Sequence, residues 1–259
     1  MALGRLKQHF RKLQREGRAT GLVNAAGWLW YHSKNIRDWW NFGAVRQALK
    51  GAPAETLDGR IDMVLTTGKG ALRPLQNRNE LTRMIQAVEA RRPKTVLEIG
   101  TAKGGTLYLL CQAAADDATI ISLDLPYGRN GGGFPQWKEP AYRQFIKPGQ
   151  TLHLVRGNSH DASSLEAVKA LLGPDQDLDF LLIDGDHSHE GVRQDFDMYA
   201  PLISEGGMVA VHDILENRFD PSIDVHHFWA WAQERYRTEE IVDDPEQGNF
   251  GIGIVHSPA

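Results

Sequence analysis

From residue 95 onward the chain alternates short β-branched runs with longer amphipathic stretches. Apolar runs at Thr95–Ile99, Thr119–Leu123, Leu152–Arg156, Phe180–Ile183, Met208–Val211, Glu240–Val242 and Gly251–Val255 predict seven strands. Between them, Gly105–Ala114, Pro140–Phe145, Ala162–Leu172, Gly191–Ala200 and Ile223–Tyr236 predict helices. A further helix is predicted over Asn79–Ala90, where Leu81, Met84, Ile85 and Val88 fall on one face. Strands separated by helices require right-handed crossovers and a parallel sheet covered on both faces. The last two strands are joined only by the turn-rich Asp243-Asp244-Pro245-Glu246-Gln247-Gly248, which leaves no room for a crossover helix. They are therefore expected to pair antiparallel. The expected fold class is α/β: a doubly wound, Rossmann-like, mostly parallel seven-stranded sheet with a late antiparallel hairpin. Pro53, Gly68, Gly70 and Pro74 punctuate the approach to it. They predict a helical N-terminal extension over residues 1–75 and a main domain over 76–259.

Composition refines this picture. A chain of 259 residues, 41% of them hydrophobic, buries an adequate core without covalent staples. Its one cysteine, Cys111, lies in the apolar run Leu109-Leu110-Cys111, so a buried structural thiol and a reducing, cytoplasmic setting are expected. The opening residues alternate Arg and Lys with Leu and Phe without a continuous apolar segment, so no secretory signal is expected. Net charge is only −4, yet residues 1–50 hold ten Lys and Arg against two acids, Glu16 and Asp38. Four of the seven tryptophans, Trp28, Trp30, Trp39 and Trp40, fall there too. The favoured expectation is an extension that packs its aromatics on the main domain or on a second subunit, making a homo-oligomer. Contact with an anionic membrane surface is the second reading. The acidic remainder of the chain would repel phosphate, which argues against a nucleic-acid partner.

Candidate chemistry clusters where each strand ends, as ligands bind outside the carboxyl ends of a parallel sheet. The first strand runs into Glu98-Ile99-Gly100-Thr101-Ala102-Lys103-Gly104-Gly105-Thr106, an acid and a G-x-x-x-G turn before a helix. That turn offers backbone N–H groups and a helix N-terminus to a small ligand, while Glu98 would repel a pyrophosphate. The second strand ends at Asp124, placed to accept both hydroxyls of a ribose. Gly157-Asn158-Ser159-His160-Asp161 follows the third. Asn158 and Ser159 suit the edge of an adenine ring, and Ser159 or Asp161 suits a helix N-cap. The fourth and fifth strands deliver Asp184, Asp186, His187, His212 and Asp213 to one rim. Carboxylates with imidazoles are donors for a divalent cation, without the spacing of a closed zinc site. Asp186 and Ser188 are equally suited to capping the next helix. The segment 126–137, with four glycines beside Tyr127, Phe134 and Trp137, reads as a lid or a surface excursion.

The acid and wide glycine turn at 98–106 resemble the first motif of class I S-adenosylmethionine-dependent methyltransferases. Phe180–Val192 and Pro201–Asp213 resemble the branch with catechol O-methyltransferase-like and cephalosporin-hydroxylase-type proteins. The likeness spans Asn77–Val255, and residues 1–75 match nothing in it. It implies that Glu98, Gly100, Thr101, Gly104, Thr106, Asp124, Asn158, Ser159 and Asp184 hold S-adenosylmethionine. It implies that Asp184, His212 and Asp213 hold a divalent cation, magnesium in that family, with His212 replacing an acid of the pattern. His187 stands where catechol-type enzymes hold a catalytic lysine, and an imidazole there suits a general base. The implied function is metal-assisted O-methylation of a hydroxyl on a small natural product or sugar. One rival is oxygen chemistry at ferrous iron held by a His and two Asp; Glu98 and Asp124 argue against it. The other is a membrane-surface or scaffold protein with a vestigial core.

Overall fold

The computed structural model describes residues 39–126, 133–174 and 177–257. Trp28, Trp30 and most of the basic extension lie outside the described residues, as does the centre of the expected lid, 127–132.

Seven strands form one sheet: β1 (Thr95–Ile99), β2 (Thr119–Asp124), β3 (Thr151–Arg156), β4 (Leu178–Ile183), β5 (Ile203–His212), β6 (Thr238–Ile241) and β7 (Ile252–His256), in the order β3-β2-β1-β4-β5-β7-β6. β1 to β5 pair parallel. β7 enters between β5 and β6 and runs antiparallel to both. The doubly wound sheet and its late hairpin are thus as the alternation predicts.

The helices are α1 (residues 39–48), α2 (Leu57–Gly70), α3 (Arg78–Arg91), α4 (Gly105–Ala113), α5 (Glu139–Tyr142), α6 (Ala162–Leu172), α7 (His189–Tyr199) and α8 (Val225–Gln233). Three elements differ from expectation. β5 starts at Ile203 rather than Met208: Gly206, at φ +78°, absorbs a register shift instead of ending the strand. The helix expected over Pro140–Phe145 shrinks to the single turn α5, behind a 3-10 turn at Gln136–Lys138. Beyond it the chain tightens to i→i+3 bonds, Gln144 to Ala141 and Phe145 to Tyr142, before Pro148 and Gly149 turn it away. The helix expected over Ile223–Tyr236 begins only at Val225, after a turn in which the Asp220 carboxylate accepts from the Ser222 amide and hydroxyl.

Alternate side chains of each strand enter opposite cores. Val96, Ile120, Phe180, Leu182, Met208, Ala210 and Ile254 pack under α2, α3 and α4. Leu97, Ile99, Ile121, Leu123, Leu181, Ile183, Val209 and Val211 pack under α6, α7 and α8. The first core also takes Phe42 and Val45 of α1 and Ile61 and Val64 of α2, all fully buried. Cys111 is buried within it, and burial pushes its thiol pKa upward, as a structural thiol requires. No helix among the described residues is long and apolar enough to cross a membrane.

One carboxylate fixes the approach to the site. Glu80, at the start of α3, is fully buried and accepts from the Asp243 amide (3.1 Å), the Gln247 side chain (2.6 Å) and the Gly251 amide (3.0 Å). The β6–β7 connection is thereby tied to the segment that enters α3.

Candidate active site

The turn after β1 carries three positive φ angles: Gly100 at +96°, Ala102 at +45° and Gly104 at +88°. A Cβ on Gly100 would lie 2.1 Å from the Asp184 carbonyl oxygen, so glycine lets the ends of β1 and β4 close together. The Asp184 amide then donates to the Ile99 carbonyl at 2.9 Å. A Cβ on Gly104 would strike the Tyr142 ring at 2.5 Å, so that glycine makes room for an internal aromatic. Thr101 and Ser122 share a hydroxyl–hydroxyl bond of 2.5 Å that pins the turn to β2. Thr106 is buried in the first turn of α4.

Two buried acids flank this turn. Asp124 Oδ2 accepts from the Ala102 amide at 3.0 Å and the Phe134 amide at 3.2 Å. Burial nevertheless pushes its pKa up to about 6, against the lowering effect of those bonds and of Arg156. Arg156 also ties down Phe134, whose carbonyl accepts from the guanidinium at 2.5 Å. Glu98 is fully buried, and neither of its carboxylate oxygens has a hydrogen-bond partner among the described residues. Burial raises its pKa well above the usual range; Thr101 offsets part of this, and the charges of Asp124 and Asp184 add to it. Glu98 thus lies within reach of the charges of two further carboxylates.

The loop after β3 is held from α7. Tyr199 donates to the Ser159 carbonyl at 2.8 Å, and His160 Nε2 lies 3.4 Å from the buried Asp195. Asp161 takes the N-cap position of α6, but neither it nor Ser159 makes the expected side-chain cap bond. Asn158 spends its own side chain locally, accepting from the His160 amide at 3.2 Å and donating to Asp161 at 3.3 Å.

On the far rim, Asp184, His187, His212 and Asp213 each present a donor atom within 4.8 Å of the others. His212 Nδ1 lies 3.0 Å from Asp184 Oδ1 and 3.5 Å from Asp213 Oδ1. His187 Nδ1 lies 2.7 Å from Asp213 Oδ2, which leaves Nε2 as the ring nitrogen without a hydrogen bond among the described residues. Burial alone would lower both histidines, but the facing carboxylates outweigh it: His187 is raised and His212 well raised. The same histidines hold Asp213 far below the ordinary carboxylate range despite its burial. Asp186 stands apart, capping the turn by accepting from the Ser188 amide at 2.9 Å, while Ser188 caps α7 by accepting from Gly191.

Two contributors carry no signal in the sequence. Gln76 donates to Asp184 Oδ2 at 2.9 Å from the segment before α3. Phe250 stacks on the His212 ring with centroids 5.8 Å apart, and both Phe250 and Asp213 adopt φ +64°. Non-glycine residues in that region indicate backbone strain held by the surrounding packing.

A family model described as a methyltransferase domain matches residues 97–214, from within β1 to just past β5. The protein y4gI of Sinorhizobium fredii is 30% identical over 152 residues, 55% of this chain; the chain spans only 15% of that relative's length. Among solved structures, the O-methyltransferase TomG of Streptomyces achromogenes, in complex with SAM, matches at TM-score 0.54 and 16% identity, over 86% of this chain and 99% of that one. An O-methyltransferase of Bacillus cereus, in complex with SAH, matches at TM-score 0.55 and 14% identity, over 86% of this chain and 100% of that one. The sheet order, the inserted antiparallel β7 and these likenesses agree: the chain has the class I methyltransferase fold.

Proposed function

We propose that the protein is an S-adenosylmethionine-dependent O-methyltransferase, assisted by a divalent cation, acting on a hydroxyl of a small natural product or sugar. The observation that carries this reading is the trio of carboxylates Glu98, Asp124 and Asp184 around the glycine turn, with Glu98 buried and neither of its carboxylate oxygens hydrogen-bonded among the described residues. A buried acid raised by its burial and by the charges of two neighbouring carboxylates favours a cationic ligand with hydroxyl and ammonium donors and disfavours a pyrophosphate. S-adenosylmethionine supplies a sulfonium, an ammonium and a ribose diol. TomG and the Bacillus cereus enzyme, which share the fold, hold SAM and SAH.

In this reading Glu98 takes the ammonium end, and Asp124 takes the ribose hydroxyls through the oxygen its backbone bonds leave open. Gly100, Thr101, Gly104 and Thr106 shape the turn beneath, Asn158 and Ser159 border the adenine, and Asp184 closes the methionine side. The rim donors fit a divalent cation: two carboxylates and a buried imidazole whose nitrogens lack partners among the described residues. Asp184, His212 and Asp213 would hold it, and its chemistry there would be to lower the pKa of the acceptor hydroxyl. His187, with Nδ1 fixed by Asp213, presents Nε2 to take the hydroxyl proton as the oxygen attacks the sulfonium methyl. Direct displacement needs positioning more than covalent catalysis.

The test is calorimetry with S-adenosylhomocysteine and NAD, then methyl transfer from labelled S-adenosylmethionine to a panel of hydroxyl acceptors with and without chelator. Binding of S-adenosylhomocysteine but not NAD is expected. The reverse preference would sink the reading.

A further inference from the structure

We propose that His212 makes the rim selective for a later first-row cation (ferrous iron, cobalt or zinc) over magnesium. This rests on the metal-assisted reading above and goes on to specify which metal the chain's own donors choose.

The spacing is that of neighbouring ligands. Ligands bonded at right angles to one small divalent cation lie about 3 Å apart, and His212 Nδ1 is 3.0 Å from Asp184 Oδ1 and 3.5 Å from Asp213 Oδ1. Short as it is, the contact with Asp184 lacks hydrogen-bond geometry, and neither ring nitrogen of His212 has a partner among the described residues. The charges of Asp184 and Asp213 offset the burial of a ring that makes no well-directed hydrogen bond among the described residues, and a cation bound between them would take the place of its proton.

The ring is also held in place. His212 ends β5, is only 3% exposed, and is stacked by Phe250 at 29° between ring planes. Phe250 is fixed in turn, since its carbonyl accepts from the Leu215 amide and the next amide, Gly251, donates to the buried Glu80. His187 is engaged by Asp213 Oδ2 and remains available as base. The donor set is thus two carboxylate oxygens and one immobile imidazole nitrogen. Magnesium demands oxygen ligands and keeps its waters, whereas imidazole suits the later first-row cations.

The full chain, stripped with chelator, is titrated by calorimetry with magnesium, manganese, cobalt and zinc chlorides, and S-adenosylhomocysteine is titrated on the same samples. Any mixed oxygen and nitrogen site favours the later cations to some degree, so the deciding quantity is the change in preference on substitution. His212→Asp is expected to narrow the gap between cobalt and magnesium affinity by about tenfold to a hundredfold, through tighter magnesium and weaker cobalt binding. An unchanged gap, or wild-type magnesium affinity equal to that for cobalt, overturns the proposal. Pulsed electron paramagnetic resonance of the manganese-loaded wild type needs no variant: a directly bonded nitrogen is expected, and its absence overturns the proposal. Retained S-adenosylhomocysteine binding beside such a failure leaves the cofactor reading standing. Loss of that binding in the unsubstituted chain overturns the reading on which this one rests.

Discussion

The Gln76 amide donates to Asp184 Oδ2 at 2.9 Å, across 108 residues of chain. It leaves Asp184 Oδ1 turned toward His212. Gln76 is placed there by two neighbouring anchors: the Leu72 carbonyl and the Pro74 ring lie against Gly105, and Glu80 grips the β6–β7 connection. The segment before α3 therefore helps to build the rim. Groups that orient a ligating carboxylate typically govern metal affinity by about tenfold to a hundredfold. Gln76→Ala is accordingly expected to weaken cation binding by about that factor while leaving S-adenosylhomocysteine affinity nearly unchanged. Calorimetry of both ligands checks it, and unaltered cation binding would remove Gln76 from the site.

Asp124 gives cofactor binding a pH dependence. Its carboxyl titrates at about 6 in the fold, above an unfolded value of about 3.9. The sign follows from linkage: the folded state takes up this proton first, so between those values this group adds stability to the ligand-free fold as pH falls. Ribose hydroxyls need the ionised carboxylate, so S-adenosylhomocysteine affinity should fall below pH 6, approaching about tenfold per unit from this one proton. Asp124→Asn should bind weakly at every pH and lose that step. An affinity flat from pH 7.5 down to about 5 in the wild type would contradict the role assigned to Asp124.

The sheet and most strand ends were legible because they depend on local patterns. Short apolar, β-branched runs place β1 to β4 within two residues, and strand ends in a parallel sheet share one rim, so Glu98, Asp124, Asp184 and Asp213 can be named together. Features set by tertiary context were not legible. The predicted strand starts only at Met208, yet β5 runs back through Gly206-Gly207 to Ile203 because β4 pairs with it on both sides of the two glycines. Gly100 and Gly104 read as the turn that offers backbone N–H groups to a ligand; that their Cβ positions would also meet Asp184 and Tyr142, 84 and 38 residues away in sequence, no local pattern records. Gln76 and Phe250 reach the rim only through folding, and no spacing rule relates them to it.

Stability should depend on the extension through Phe42 rather than through the tryptophans beside it. Phe42 is fully buried between Trp137 and Tyr142, with ring centroids at 5.3 and 6.3 Å. Trp40 is 73% exposed. Phe42→Ala should cost about 3–5 kcal/mol, as large core truncations do, whereas Trp40→Ala should stay within about 0.5 kcal/mol in the monomer. Urea denaturation measures both. A larger loss for Trp40→Ala that depends on protein concentration would indicate that this tryptophan is covered by a second copy of the chain.

The two halves of the His187–Asp213 contact should separate cleanly. His187 Nε2 is free to act as base because Asp213 holds Nδ1 at 2.7 Å, and Asp213 meets the proposed cation through its other oxygen. Removing a general base costs about 10²–10⁴-fold in turnover, so His187→Ala should lose that much with an acceptor found by the labelled-methyl screen. Its cation and S-adenosylhomocysteine affinities should stay near wild type. Asp213→Asn removes a ligand and the group orienting the base, so cation affinity and turnover should fall together. Asp184→Asn should lose cation affinity while leaving the His187–Asp213 bond in place. Chelator should reproduce the Asp184→Asn phenotype and leave S-adenosylhomocysteine binding intact. Full turnover in chelator by a protein free of metal on elemental analysis would reassign Asp184, His187 and Asp213 to direct hydrogen bonds with the acceptor. In that case His187→Ala would still lose turnover, and Asp184→Asn would raise the acceptor KM instead.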